Sequence, residues 1–270
     1  MNSVELIQLS DKPLLKKLAL PLFAKVNLDS ILENYFRLGP VPNVVLNAFV
    51  SGKPMPILRE ELHDWRSLKK SFRITNVHLL HPDLQTFTRT VFEETGHVLS
   101  GNLYYTPNKD LQGFEMHSDP QNSLVYQIQG QKNWTFLKTG NEYVIEKNET
   151  FKVLKQYQSG NHDWSEDTVA IHQGECLVFP YGFLHCVRNP VMESSVHVTF
   201  AWERPTLGDF LQFLMEEISP GCSQNYFQII SVQEFKQGLQ NLKGPMIQKY
   251  LEHFQQMEQV RLGEGRPYNA

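Results

Sequence analysis

Two triplets in this chain pair a histidine with an aspartate two residues later, His81-Pro82-Asp83 and His117-Ser118-Asp119. Along an extended segment, residues i and i+2 point to the same side, so an imidazole and a carboxylate in this pattern can grip one metal ion. So short a pattern recurs by chance in a chain with ten histidines, and its surroundings must separate the two. His81-Pro82-Asp83 precedes LQTFTRTVFEET, where a proline in the first turn and an early acid are ordinary helix-start residues. His117-Ser118-Asp119 lies instead in a loop, GFEMHSDPQ, directly before a run with strand character. A third ligand comes from Gly174-Glu-Cys-Leu-Val-Phe-Pro180-Tyr-Gly182-Phe-Leu-His185, which reads as a strand, a Pro/Gly turn and a histidine opening the next strand. Two imidazoles and one carboxylate on one face leave three coordination positions open, the arrangement associated with Fe(II) oxygenases; zinc, manganese or cobalt can occupy the same ligands.

The remaining histidines suit this role less well. His172 ends a strand-like run and His197 sits inside one, where a satisfied core or surface histidine is the expectation. His162 lies in a polar loop, QSGNHDWSED.

The elements that must hold such a triad are visible as short β-branched or aromatic runs over 102–106, 123–129, 132–137, 168–171, 176–179 and 195–202. Gln129-Gly130-Gln131 reads as a tight hairpin connection, and Gly174, Pro180, Gly182 and Pro190 punctuate the rest. Many short strands with no helices between them predict an antiparallel barrel or sandwich, so the fold class is mainly β with flanking helices. Before it, Leu14, Leu15 and Leu18, then Leu28, Ile31, Leu32 and Tyr35, recur at helical spacing until Pro40 and Pro42. After Pro205, one helical stripe runs through Phe210, Phe213, Leu214 and Ile218 and another through Ile247, Tyr250, Leu251 and Phe254. The expected organisation is a catalytic domain over 1–205 and a C-terminal helical region over 206–270, a candidate homodimer contact.

Composition narrows the class of function. With 41% hydrophobic and 20% charged residues the chain matches an ordinary globular protein, and a formal charge of −4 gives no reason to expect nucleic-acid or anionic-membrane binding. Cys176, Cys186 and Cys222 form no CxxC pair, so neither a disulfide framework nor a zinc knuckle is expected. The opening MNSVELIQLSDK lacks a basic-then-apolar profile, and the apolar stretch over 18–24 is short and contains Pro21. A cytoplasmic protein with no membrane partner is the expectation.

Residues 101–202 resemble the JmjC-type cupins, most closely the ribosomal-oxygenase branch. The matching pieces are Asn102-Leu-Tyr-Tyr-Thr-Pro107, Gly113-Phe-Glu-Met-His-Ser-Asp119, Tyr126-Gln-Ile-Gln-Gly-Gln-Lys-Asn-Trp134, Gly174-Glu-Cys-Leu-Val-Phe-Pro180, Gly182-Phe-Leu-His185 and Ser195-Val-His-Val-Thr-Phe200. The resemblance implies a double-stranded β-helix (a cupin or jelly-roll barrel), Fe(II) on His117, Asp119 and His185, and 2-oxoglutarate and O2 as cosubstrates. It implies Lys132 as the cation for the distal carboxylate of 2-oxoglutarate, a role suited to a buried strand lysine because a buried anion needs a paired donor. Asn102 and Ser195 match positions that touch the cosubstrate, Thr106 and Tyr104 offer hydroxyls, and Gln127 and Trp134 suit either packing or the pocket. The implied activity is hydroxylation of an amino-acid side chain in a protein or peptide, or demethylation by the same route. The alternatives are a hydroxylase of a small molecule or peptide natural product, and a catalytically silent cupin that serves as a binding module.

Overall fold

Alternation along the strands gives each a core-facing and a cavity-facing side. The computed structural model describes residues 16–19, 23–50, 52–95, 97–111, 114–140, 142–143, 157, 159–160, 164–202 and 252. Residues 1–203 cluster as one unit and 204–270 as another. The C-terminal stripes and the expected dimer contact lie outside the described residues, as do His162 and Cys222.

The strands are β1 (Lys16–Ala19), β2 (Leu46–Val50), β3 (Lys53–Met55), β4 (Ser71–Ile74), β5 (Ser100–Thr106), β6 (Asn122–Gln129), β7 (Gln131–Thr139), β8 (Glu142–Tyr143), β9 (Trp164–His172), β10 (Glu175–Phe179), β11 (His185–Arg188) and β12 (Ser195–Trp202). Two α-helices, α1 (Leu28–Leu38) and α2 (Pro82–Thr95), and two short 3-10 segments complete the described part. The larger sheet has the order β1-β10-β6-β12-β5-β4-β2-β3, and every pairing in it is antiparallel. In the smaller sheet β9 runs along the whole of β7, while β11 and β8 pair with β7 over 133–136 and 138–139.

β12 shows how sequence selects each layer. Val196, Val198, Phe200 and Trp202 belong to the main apolar core, together with Leu103, Tyr105, Tyr126 and Ile128 from neighbouring strands. The helices cover this face: Leu28, Ile31 and Leu32 of α1 and Leu84, Phe87 and Val91 of α2 are buried in the same core. Phe23 meets Phe87 and Tyr126 edge-on at 5.1 and 5.0 Å, and Phe87 lies 4.9 Å from Phe200. The intervening residues Ser195, His197 and Thr199 point the other way, toward the smaller sheet. Between the sheets a second apolar cluster forms from Val125, Leu177 and Phe179 of the larger sheet with Trp134, Phe136 and Ile171 of the smaller.

Several expectations meet their elements here. The run beginning at Pro82 is helical, and Asn27 caps α1 by accepting from the Ser30 backbone N–H at 2.9 Å. Gly130 links β6 to β7 with φ +69, and a Cβ there would lie 2.5 Å from the Ser194 carbonyl oxygen, so the turn requires glycine. The helical spacing of Leu14, Leu15 and Leu18 does not give a helix over 16–19. That segment is β1, paired with β10, because an open sheet edge satisfies its backbone better than an isolated turn of helix. Strands β2, β3 and β4, without a clear periodic signal in sequence, extend the larger sheet beyond β5.

Candidate metal centre and cavity

His117 and Asp119 lie on the loop between β5 and β6, and His185 opens β11. Two backbone hydrogen bonds clamp the loop to that strand: His117 N donates to His185 O at 2.9 Å and His185 N to His117 O at 2.8 Å. A third tie runs from Gly182 N to Asp119 O at 2.8 Å, with Gly182 at φ +78 in the turn before β11. The Pro/Gly turn thus positions both the third histidine and the carboxylate's backbone.

The three side chains converge. A ligand atom from each lies within 4.8 Å of the others, and His185 Nε2 is 3.7 Å from Asp119 Oδ2. His117 Nδ1 donates to the Glu115 carbonyl at 2.7 Å and His185 Nδ1 to the Phe183 carbonyl at 2.8 Å. A carbonyl can only accept, so both rings carry a proton on Nδ1 and leave Nε2 as the atom available to a metal. Burial first, and then the neighbouring His117, hold His185 down at about 4 against the opposing pull of Asp119. A neutral imidazole, oriented by a backbone carbonyl behind it, is what a metal ligand needs to be. The residues therefore fit a divalent metal, and the donor set fits Fe(II) among others. His81 instead sits at the start of α2, where its Nδ1 accepts from the Asp83 backbone N–H at 3.2 Å.

The triad stands in the wall of a cavity of about 170 Å³ between the two sheets. Trp134 stacks on His185 at 5.6 Å and 28°, and Phe179 and Phe136 pack beside it at 5.1 and 5.8 Å, which seals the inner side of that histidine. Lys132 reaches the cavity from β7. It is 3% exposed, and its ammonium donates to Thr106 Oγ1 at 2.8 Å. Burial pulls it down to about 7, because a hydroxyl does not replace the water that a cation loses. Among the described residues that line the cavity, Asp119 is the one carboxylate, so Lys132 has no fixed counter-ion there.

Of the other residues singled out in sequence, Thr106, Tyr104 and Trp134 line the cavity. Asn102 does not: its carboxamide oxygen accepts from Asn76 N at 3.4 Å. Ser195 is fully buried behind the wall and accepts a hydrogen bond from Gln127 at 2.7 Å. Two cavity residues were not legible as such. Arg73, opposite Tyr104 in the β4–β5 pair, lines the cavity with its buried Nε unpartnered. His197, expected to be a satisfied core or surface histidine, also lines the cavity, and its buried Nδ1 has no partner among the described residues. Parity with Ser195 was the available signal, since a shared face follows from a spacing of two. Burial pushes the Tyr104 hydroxyl up, while Arg73 beside it works in the opposite direction. Phe114, three residues before His117, packs against Phe49 at 4.9 Å and closes the same wall.

Comparison with known proteins places this architecture. Residues 79–210 match the JmjC domain family. Ribosomal oxygenase 1 of Gallus gallus is 30% identical over 153 residues, which cover 52% of this chain and 24% of that protein. The bifunctional lysine-specific demethylase and histidyl-hydroxylase NO66 of Drosophila mojavensis is 27% identical over 155 residues, 55% of this chain and 16% of that protein. The chain thus spans a quarter or less of the length of these two relatives. Among solved structures, Escherichia coli ycfD superposes with a TM-score of 0.54 at 12% identity, covering 94% of this chain and 71% of that one. The same ribosomal oxygenase in complex with cobalt and 2-oxoglutarate superposes with a TM-score of 0.50 at 13% identity, covering 85% and 63%. Residues 79–210 thus match the JmjC domain, and through it the chain is related at modest identity to the ribosomal oxygenases.

Proposed function

We propose that this protein is an Fe(II)- and 2-oxoglutarate-dependent hydroxylase of an amino-acid side chain in a protein or peptide. The observation that carries the reading is one cavity with two complementary ends. A carbonyl-oriented His117/Asp119/His185 cluster stands in its wall, and a buried Lys132 without a carboxylate partner among the described residues serves the same space. A dicarboxylic keto acid supplies what each end lacks: oxygen donors for the metal and an anion for the ammonium. The E. coli relative was solved with cobalt and 2-oxoglutarate, which supports that choice.

In this reading His117, Asp119 and His185 hold the metal, Lys132 receives the distal carboxylate, and Thr106 fixes the Lys132 ammonium. Iron when bound supplies the oxidation of an unactivated C–H bond, coupled to decarboxylation of the keto acid to succinate. The chain's own residues bind, orient and exclude water: Trp134, Phe136 and Phe179 dry the His185 side, and Phe114, packed against Phe49 and His117, narrows the cavity beside the triad. The cavity wall holds two cations, Arg73 and Lys132, against the single carboxylate of Asp119. The relatives named above are a ribosomal oxygenase and a bifunctional lysine-specific demethylase and histidyl-hydroxylase, so ribosomal-protein peptides are the first substrates to try.

The test is turnover. With Fe(II), 2-oxoglutarate and O2, succinate should form, and one peptide of a ribosomal-protein digest should gain the mass of a single oxygen atom. Asp119→Ala should abolish both. Tight metal binding with no succinate under any peptide would overturn the peptide reading, and 2-oxoglutarate binding would then separate a small-molecule hydroxylase from a silent binding module.

A further inference from the structure

One polar group on the cavity wall has no part in the reaction as proposed. His197 is 5% exposed, and its ring lines the cavity. Tyr104 stacks on it at 5.0 Å and 13°, and Trp134 meets it edge-on at 5.7 Å and 73°. Its buried Nδ1 has no hydrogen-bond partner among the described residues. An unpaired buried nitrogen is costly, and a phenyl ring would fill the same slot without that cost.

The surroundings indicate what such a nitrogen serves. Burial first, and then the Lys132 ammonium, hold His197 well below the usual histidine range, so the ring is neutral and keeps one N–H donor. Register brings it near the Lys132 end of the cavity. β12 sets Ser195 opposite Thr106, the partner of Lys132, and His197 opposite Tyr104, one same-face step along. Trp134, which touches His197, is likewise one same-face step from Lys132 on β7. An ammonium and a neutral donor, neither with a carboxylate partner, therefore serve one end of the cavity. Asp119, the carboxylate of the cavity among its described residues, belongs to the triad.

We propose that His197 is a second cosubstrate-binding residue, whose N–H donates to the distal carboxylate of the keto acid and shares that group with Lys132. This rests on the function proposed above. The two can fail separately.

The experiment titrates 2-oxoglutarate calorimetrically into the Mn(II)-loaded protein and its H197F and H197Q variants, alongside ligand-free melting curves. Phenylalanine keeps the ring between Tyr104 and Trp134 and removes only the nitrogens. H197F should bind 2-oxoglutarate about tenfold or more weakly, as expected for losing a hydrogen bond to a charged group. H197Q, which restores a donor, should recover part of that loss. All three proteins should bind Mn(II) equally, and ligand-free H197F should melt no lower than wild type. Equal affinity of wild type and H197F would overturn the inference and leave the proposed function standing. A loss in H197F that H197Q does not recover, with a lowered ligand-free Tm, would assign the ring to packing and overturn it too. Failure of the wild type to bind 2-oxoglutarate would sink the proposed function itself.

Discussion

The two faces of the larger sheet are built from alternate residues of the same strands, yet they are organised on opposite principles. Toward the helices, Leu103, Tyr105, Tyr126, Val198 and Phe200 are apolar or aromatic and at most 3% exposed. Toward the smaller sheet, the same strands present Tyr104, Thr106, Gln127, His197 and Thr199, and several of the buried polar atoms there lack partners. The first face meets most of the ordinary requirements of a core, Trp202 Nε1 of β12 being a buried atom on it without a partner among the described residues. The second violates them where a metal and an anion would complete it. Local departures from packing rules that gather on one face of an otherwise regular sheet mark the working side.

The sharpest way to break this contrast is at the triad. His117→Ala or Asp119→Ala should leave the ligand-free fold intact while weakening metal binding by more than about 100-fold, beyond the usual effect of losing a group behind a ligand. Calorimetry with Mn(II) and a denaturant melt read the two halves of that statement. The mirror experiment is Phe200→Ala, which should cost about 3–5 kcal/mol in chemical denaturation by emptying the contact with Phe23 and Phe87. Metal affinity of the surviving folded fraction should not move.

Lys132→Met tests whether the cavity face is paid for in stability. It should raise the ligand-free unfolding free energy by on the order of 1 kcal/mol or more while removing 2-oxoglutarate binding. The pH dependence fixes the sign. Lysine in an unfolded chain titrates near about 10.4, whereas folded Lys132 is held at about 7. Between those values the unfolded chain binds the extra proton, so wild-type stability should rise with pH and approach that of the variant. Below pH 7 the full penalty remains. A stability difference independent of pH would show that Lys132 is not held as described. The smallest expected effect is Thr106→Val, which removes the hydroxyl that fixes the ammonium and should weaken 2-oxoglutarate by about 3–10-fold without touching metal affinity.

Much of this contrast was legible before any coordinates. The i, i+2 spacing of His117 and Asp119, and the strand–turn–histidine order ending at His185, name three groups that the fold brings within 4.8 Å. The strand runs over 102–106, 123–129, 132–137, 176–179 and 195–202 fall inside β5, β6, β7, β10 and β12, because period-two alternation is what a sheet between two layers imposes. Less visible were groups whose role depends on long-range register. Arg73 faces the cavity because β4 pairs with β5, a contact that nothing in the short run SFRI announces. His197 looked like any strand histidine, since its surroundings come from Tyr104 and Trp134, distant in sequence. Asn102 and Ser195 share the cavity's strands, yet nearby backbone and side-chain partners engage them outside its wall. Leu18 misled through period: an edge strand of four residues is too short to show alternation.

The central claim is that the triad and Lys132 form one site for Fe(II) and 2-oxoglutarate. The most direct test is anaerobic addition of Fe(II) and then 2-oxoglutarate to the metal-free protein, followed in the visible region for the weak metal-to-ligand charge-transfer band. A band in the wild type, absent in His117→Ala and reduced in Lys132→Met, is the predicted result. Tight Fe(II) binding with no band on adding 2-oxoglutarate would contradict it.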